Sequence, residues 1–287
     1  MTMKKILAHV EDQPGLDSVL TASLLVARRF DAHVQGLCLR PVVPRIMPVA
    51  PEGAFIPTSE VLDDLERADR ERGERLRRQF EDFMRAKDVA LTAEPAADTH
   101  LSASWREKSS AGDEELGSLG RVFDLIVVGR PVTGASAPSM SALESALFES
   151  GRPILIAPPE TPAKLGDRVT VAWNGSTETA RSIALTLPFL AQAEEVMVLS
   201  VEEGMVAGPS AADVADYLLC NGVTARPKYV RAGERSVGAA ILEEAAAAGT
   251  DLLLKGAYTH SRLRQMIFGG ATSHILNNAE LPVLMAH

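Results

Sequence analysis

Short runs of Val, Leu and Ile recur along this chain, separated by longer segments with apolar residues at every third or fourth position. In the C-terminal part the runs fall at 168–173, 195–201, 224–230, 251–256 and 281–286. Between them, helical periodicity covers 177–192, 210–221, 237–248 and 271–279. The short runs show little alternation of apolar and polar positions, as in strands covered on both faces. Strands that alternate with helices imply right-handed crossovers and a parallel sheet.

The pattern occurs twice. Asp124-Leu-Ile-Val-Val-Gly129 is nearly copied by Asp251-Leu-Leu-Leu-Lys-Gly256. Each is followed by a loop, a helix and a closing run, Pro153-Ile-Leu-Ile-Ala157 and Pro282-Val-Leu-Met-Ala286. Upstream, Lys5-Ile-Leu-Ala-His-Val10 matches Arg168-Val-Thr-Val-Ala-Trp173. The first copy is longer in its middle, where a Pro-rich loop (Pro41–Pro51) and a charged segment (Ser59–Asp88) hold the excess. In the charged segment Val61, Leu62, Leu65, Leu76, Phe80, Phe83 and Met84 form a narrow stripe, which predicts a long, mostly solvated helix. Pro158, Pro159 and Pro162 make the joint between copies stiff and extended. The expected fold class is therefore α/β: two tandem doubly wound domains, 1–160 and 165–287, each a five-stranded parallel sheet flanked by helices. The closing strands are expected to pair and join the copies as an intramolecular pseudo-dimer. A homodimer is left open.

Composition narrows the function. Of 287 residues, 46% are hydrophobic and 23% charged, the balance of an ordinary globular protein. The net charge of −9 disfavours a nucleic-acid platform or an anionic membrane surface as partner. No apolar stretch approaches the length of a membrane span, and the N-terminus is no signal peptide. Cys38 and Cys220 form no Cys-x-x-Cys pair, and two buried thiols in a reducing cytoplasm are expected. The six histidines are scattered without metal-ligand spacing, so no metal site is expected. His9 and Glu11 face the same side of the first strand and are expected to form a surface rim pair.

In a doubly wound sheet, ligands bind beyond the carboxyl ends of the strands where the order reverses. In the second copy those ends are Trp173-Asn174-Gly175-Ser176-Thr177 and Gly256, followed by the loop that carries His260, Arg262 and Arg264. Gly269 and Gly270 precede a helix, and Thr272 sits in its first turn, a plausible phosphate cradle. The glycines are expected to outweigh Arg262 and Arg264 there, because backbone donors at a helix start are already ordered. Trp173 is expected in the core. The chain has no Walker-type phosphate loop, dinucleotide fingerprint or nucleophile elbow, and no catalytic residue is expected.

These pieces, in this order, resemble the universal stress protein family in its tandem form. The resemblance spans nearly the whole chain, one family domain per copy. It implies a regulatory protein of the stress response with ATP or another adenine nucleotide as ligand, bound through Gly-x-x-Gly-x9-Gly-Ser/Thr. Onto that motif fall Gly256, Thr259 in place of the second glycine, Gly269, Gly270 in place of Ser/Thr, and Thr272. Asn174, followed by Gly175, stands at the end of the first strand, where nucleotide-binding members usually carry Asp. In the first copy Glu11 takes the Asp position, no Gly-Gly pair precedes the helix, and Ser139 or Ser141 is expected to cap it. That copy is expected to have lost nucleotide binding. Any hydrolysis would be weak. The competing reading is a ligand-free interaction module.

Overall fold

The computed structural model describes residues 3–42, 58–93, 100–110, 112–131, 140–257 and 270–287. The N-terminal half runs β1 (Lys5–His9), α1 (Leu16–Phe30), β2 (His33–Pro41), α2 (Ser59–Ala86), β3 (Ala90–Leu91), β4 (Ser102–Ser110), α3 (Glu114–Gly120), β5 (Leu125–Gly129), α4 (Met140–Glu149) and β6 (Ile154–Ala157). The C-terminal half runs β7 (Arg168–Ala172), α5 (Thr177–Leu190), β8 (Glu195–Val201), α6 (Ala211–Cys220), β9 (Ala225–Val230), α7 (Val237–Ala247), β10 (Leu252–Gly256), α8 (Gly270–Asn278) and β11 (Val283–Ala286). No helix among the described residues is long and apolar enough to cross a membrane.

The strands form one eleven-stranded sheet in the order β3-β4-β2-β1-β5-β6-β11-β10-β7-β8-β9. Every neighbouring pair is parallel except β6 and β11, which run antiparallel with Leu155 opposite Leu284. The closing strands thus pair as expected, and the two sheets become one. The N-terminal half contributes six strands instead of five, because Ala90 and Leu91 add a short edge beside β4.

The same aspartate opens each half. Asp124 Oδ2 accepts the Lys4 and Lys5 amides at 2.8 and 3.0 Å, fixing where β1 starts beside β5. Asp251 accepts the amides of Gly166, Asp167 and Arg168 in the same way beside β10. Burial pushes the Asp251 carboxyl up, and these backbone donors pull it back. The repeated Asp-Leu pattern therefore reflects register.

Apolar layers cover both faces of the sheet and run through the joint. On one face Phe30 of α1 meets Phe189 of α5 edge to face, with ring centroids 4.9 Å apart. Arg29 pairs there with Asp167. On the other face Arg130 donates to the Ala279 carbonyl, and Phe148 meets His287 at 4.8 Å.

α2 is mostly solvated, as expected, and the residues of its stripe that reach the sheet, Leu76, Phe80 and Met84, are buried, with Phe80 packed on Trp105. Two expectations need correction. Cys38 is buried but Cys220, at the end of α6, is exposed. His9 is 2% exposed, so the His9–Glu11 pair is no surface rim.

Candidate functional site

The strand order reverses between β7 and β10 in the C-terminal half, so a crevice opens beyond their carboxyl ends. From β7 the chain passes through Trp173 and Asn174 into α5. Trp173 is buried as expected, with Nε1 donating to the Pro209 carbonyl at 2.8 Å. Asn174 Oδ1 accepts from the Ser176 amide at 3.2 Å and the Thr179 hydroxyl at 2.7 Å. Its amide oxygen therefore shapes the turn. Ser176 caps α5 by accepting from the Thr179 amide. Gly175 has φ +86°, and a Cβ there would lie 2.6 Å from the Val206 carbonyl oxygen. Glycine is needed at this point for conformation and for the close approach of the segment after β8.

Gly256 ends β10 directly beneath the start of α5. A Cβ on it would sit 2.5 Å from the Thr179 hydroxyl. Its smallness lets helix and strand touch on that face. Glu178, in the same first turn, has a buried Oε2 with no hydrogen-bond partner. The first turn of α5 thus carries a carboxylate-bearing residue beside the end of β10.

On the opposite face lies Lys255, a residue that the search for motifs passed over. It is 8% exposed, and its Nζ donates to the Gly256 carbonyl and the Thr272 hydroxyl, both at 2.9 Å. Burial alone pulls its ammonium down to about 8, from an ordinary 10.5. No carboxylate among the described residues offsets that charge, and residues 258–269 contain no Asp or Glu. The signal was in the sequence: Asp251-Leu-Leu-Leu-Lys-Gly256 places a lysine where the first copy has Val128.

Thr272, buried in the first turn of α8, holds the lysine at the helix N-terminus. A Cβ on Gly270 would meet nothing within 4 Å, so packing does not demand glycine there. The structure thus brings Asn174, Gly175, Gly256, Gly270 and Thr272 to one end of the sheet, where Gly256 and Thr272 contact Lys255. Thr259, His260, Arg262, Arg264 and Gly269 lie outside the described residues, as does Ser139. Ser141 lies within α4 and bonds the Asp113 carboxylate. Among the described residues no group of three or more His, Cys, Asp or Glu could hold a metal ion. A cavity of about 260 Å³ between Arg168, Glu195, Arg226 and Thr250 opens at the opposite end of the sheet, away from this chemistry.

Residues 191–287 match the universal stress protein family. No curated protein matches the sequence. Among solved structures, a universal stress protein from Archaeoglobus fulgidus superposes with TM-score 0.68 at 14% identity, covering 100% of this chain and 99% of its own. A proposed universal stress protein from Pseudomonas aeruginosa gives 0.51 at 15% identity, covering 99% and 93%. A family member from Arabidopsis thaliana with AMP bound is more distant, at TM-score 0.33 and 12% identity over 54% of this chain and 90% of its own. At these identities the likeness is one of fold. Residues 191–287 thus resemble the universal stress protein family in sequence, and the whole chain shares the fold of these solved structures.

Proposed function

We propose that this chain is a universal-stress-type regulatory protein of the cytoplasm whose two halves act as domains 1–160 and 165–287. Its C-terminal domain binds an adenine nucleotide beyond the ends of β7 and β10. The observation that carries this reading is Lys255. A buried ammonium without a counter-charge costs several kcal/mol, and an anion at the crevice offsets it. The first turn of α8 adds a helix N-terminus, the Thr272 hydroxyl and the open position at Gly270. These groups fit a phosphate. Lys255 and Thr272 would hold it, and the unpartnered Glu178 Oε2 would accept from a sugar hydroxyl or a base amine. The exposed thiol of Cys220 fits a reducing compartment.

A second reading, a ligand-free interaction module, is favoured by Asn174 and Gly256. The Asn174 amide oxygen is engaged by Ser176 and Thr179, and Gly256 lies under Thr179. Calorimetric titration with ATP separates the two readings. Binding that weakens about tenfold or more in Lys255→Met, equivalent to about 1.4 kcal/mol, supports a phosphate on Lys255. No heat at millimolar ATP, with no nucleotide released on denaturing the purified protein, selects the interaction module.

A further inference from the structure

The N-terminal half carries its own polar cluster at the corresponding place. β1 and β5 are neighbours there, as β7 and β10 are in the other half. Past the middle of β1 come His9, Glu11 and Gln13, spaced two residues apart. His9 Nδ1, Glu11 Oε2 and Gln13 Nε2 are all buried without a hydrogen-bond partner, and they are three of the six such side-chain atoms among the described residues. His9 itself is 2% exposed, and its Nδ1 lies 3.5 Å from Glu11 Oε2. Gly129, at the end of β5, gives Gln13 its room: a Cβ there would collide with the Gln13 amide. Each unpartnered buried polar atom costs about 1–3 kcal/mol, and native proteins keep few of them. Three within five residues, at a topological switch point, mark a place kept for a ligand.

The charge of this place is opposite to that of the Lys255 site. Val128 stands where Lys255 does, and no paired glycines precede α4. Burial pushes the Glu11 carboxyl up; Asp113 adds to that, while His9 and Arg72 oppose it. The Arg72 guanidinium is held by Asp69 at 2.6 Å. An anion entering here would meet the carboxylates of Glu11 and Asp113. A ligand with N–H donors would meet the Glu11 carboxylate and, with His9 neutral and its proton on Nε2, His9 Nδ1 as acceptors, with the Gln13 amide beside them as a donor.

We propose that His9, Glu11 and Gln13 bind a small primary ammonium compound with an adjacent oxygen acceptor, of the amino-alcohol class. The ammonium donates to His9 Nδ1 and Glu11 Oε2, and the oxygen accepts from Gln13 Nε2. The site is distinct from the nucleotide site and does not depend on it.

The test is a titration of the full chain, with 15N-labelled histidine, against ethanolamine and against choline. The two probes share a charge and a hydroxyl, but only ethanolamine has N–H donors. The His9 Nδ1 resonance is expected to shift with ethanolamine, saturating at about millimolar concentrations, and to stay put with choline. Glu11→Gln should weaken the response about tenfold or more while the remaining spectrum keeps its dispersion, and Lys255→Met should leave it unchanged. Equal shifts with both probes would mean that charge alone is felt. No shift at about 100 mM ethanolamine, or a His9 Nδ1 proton already bonded to Glu11 in the free protein, would mean that the pair satisfies itself. A His9 shift produced by ATP instead would make this an anion site. Each of these four results overturns the proposal.

Discussion

A single lysine separates the two halves chemically. Lys255 is a depressed-pKa group in the folded chain, so the unfolded chain binds more protons between about pH 8 and 10.5. Stability is therefore expected to rise with pH across that window. Below pH 8 the folded protein carries the full cost of a buried ammonium. Lys255→Met removes the charge and keeps the volume, losing only the hydrogen bonds to Gly256 and Thr272. In the absence of nucleotide, the variant should be more stable than the parent by roughly 1–3 kcal/mol at pH 6, measured by urea denaturation. The difference should shrink as pH climbs from 8 towards 10.5. A constant difference across that range would show that the ammonium is solvated. The glycines nearby follow another logic: Gly175 and Gly256 answer to the backbone and side chains pressed against them, while Gly270 faces open space.

At the scale of elements, α2 divides into two parts. Its sequence carries one continuous stripe, yet only the part from Gly73 onwards finds the sheet. Leu65 is 50% exposed and Leu76 is 1% exposed. The stripe could not reveal this, because periodicity records which face is apolar and not whether anything covers it. Leu76→Ala should cost roughly 2–5 kcal/mol through the cavity it leaves beneath α2, whereas Leu65→Ala should stay within about 0.5 kcal/mol of the parent. Chemical denaturation of both variants checks the contrast. Comparable losses would mean that the first half of α2 is also covered. The β strands give a second case. β6 and β11 are short and wholly buried, and both take one neighbour from their own half and one from the other. Their matching Pro-initiated sequences foretold the pairing because a buried apolar edge strand must be covered.

For the whole molecule, that pairing makes each half the edge protector of the other. A fragment of residues 165–287 would expose the β11 edge and the apolar positions beside it. It is expected to associate with a second copy through β11, reproducing the antiparallel joint between identical strands. Light scattering after size exclusion would report a dimer, and Leu284→Lys in the fragment should return it to monomer. A monomeric, folded fragment would refute the idea that β11 requires a partner.

Much of this architecture was legible in the sequence. The run-and-helix rhythm located all five strands and four helices of the C-terminal half, because a strand buried on both faces needs a continuous apolar run and its crossover helix needs one apolar stripe. The repeat gave the doubling, and the glycines and Thr272 pointed to the end of the sheet where Lys255 is buried. Tertiary structure decided what local pattern cannot hold. Burial of His9 and Lys255 depends on the helices that fold over them from distant sequence. The Asn174 amide oxygen is engaged within its own turn, while Oε2 of Glu178 is buried without a partner. The two closing strands fuse two sheets into one. In each case the deciding quantity is which atoms are removed from water and which partners reach them, and that is set by contacts between residues far apart in the chain.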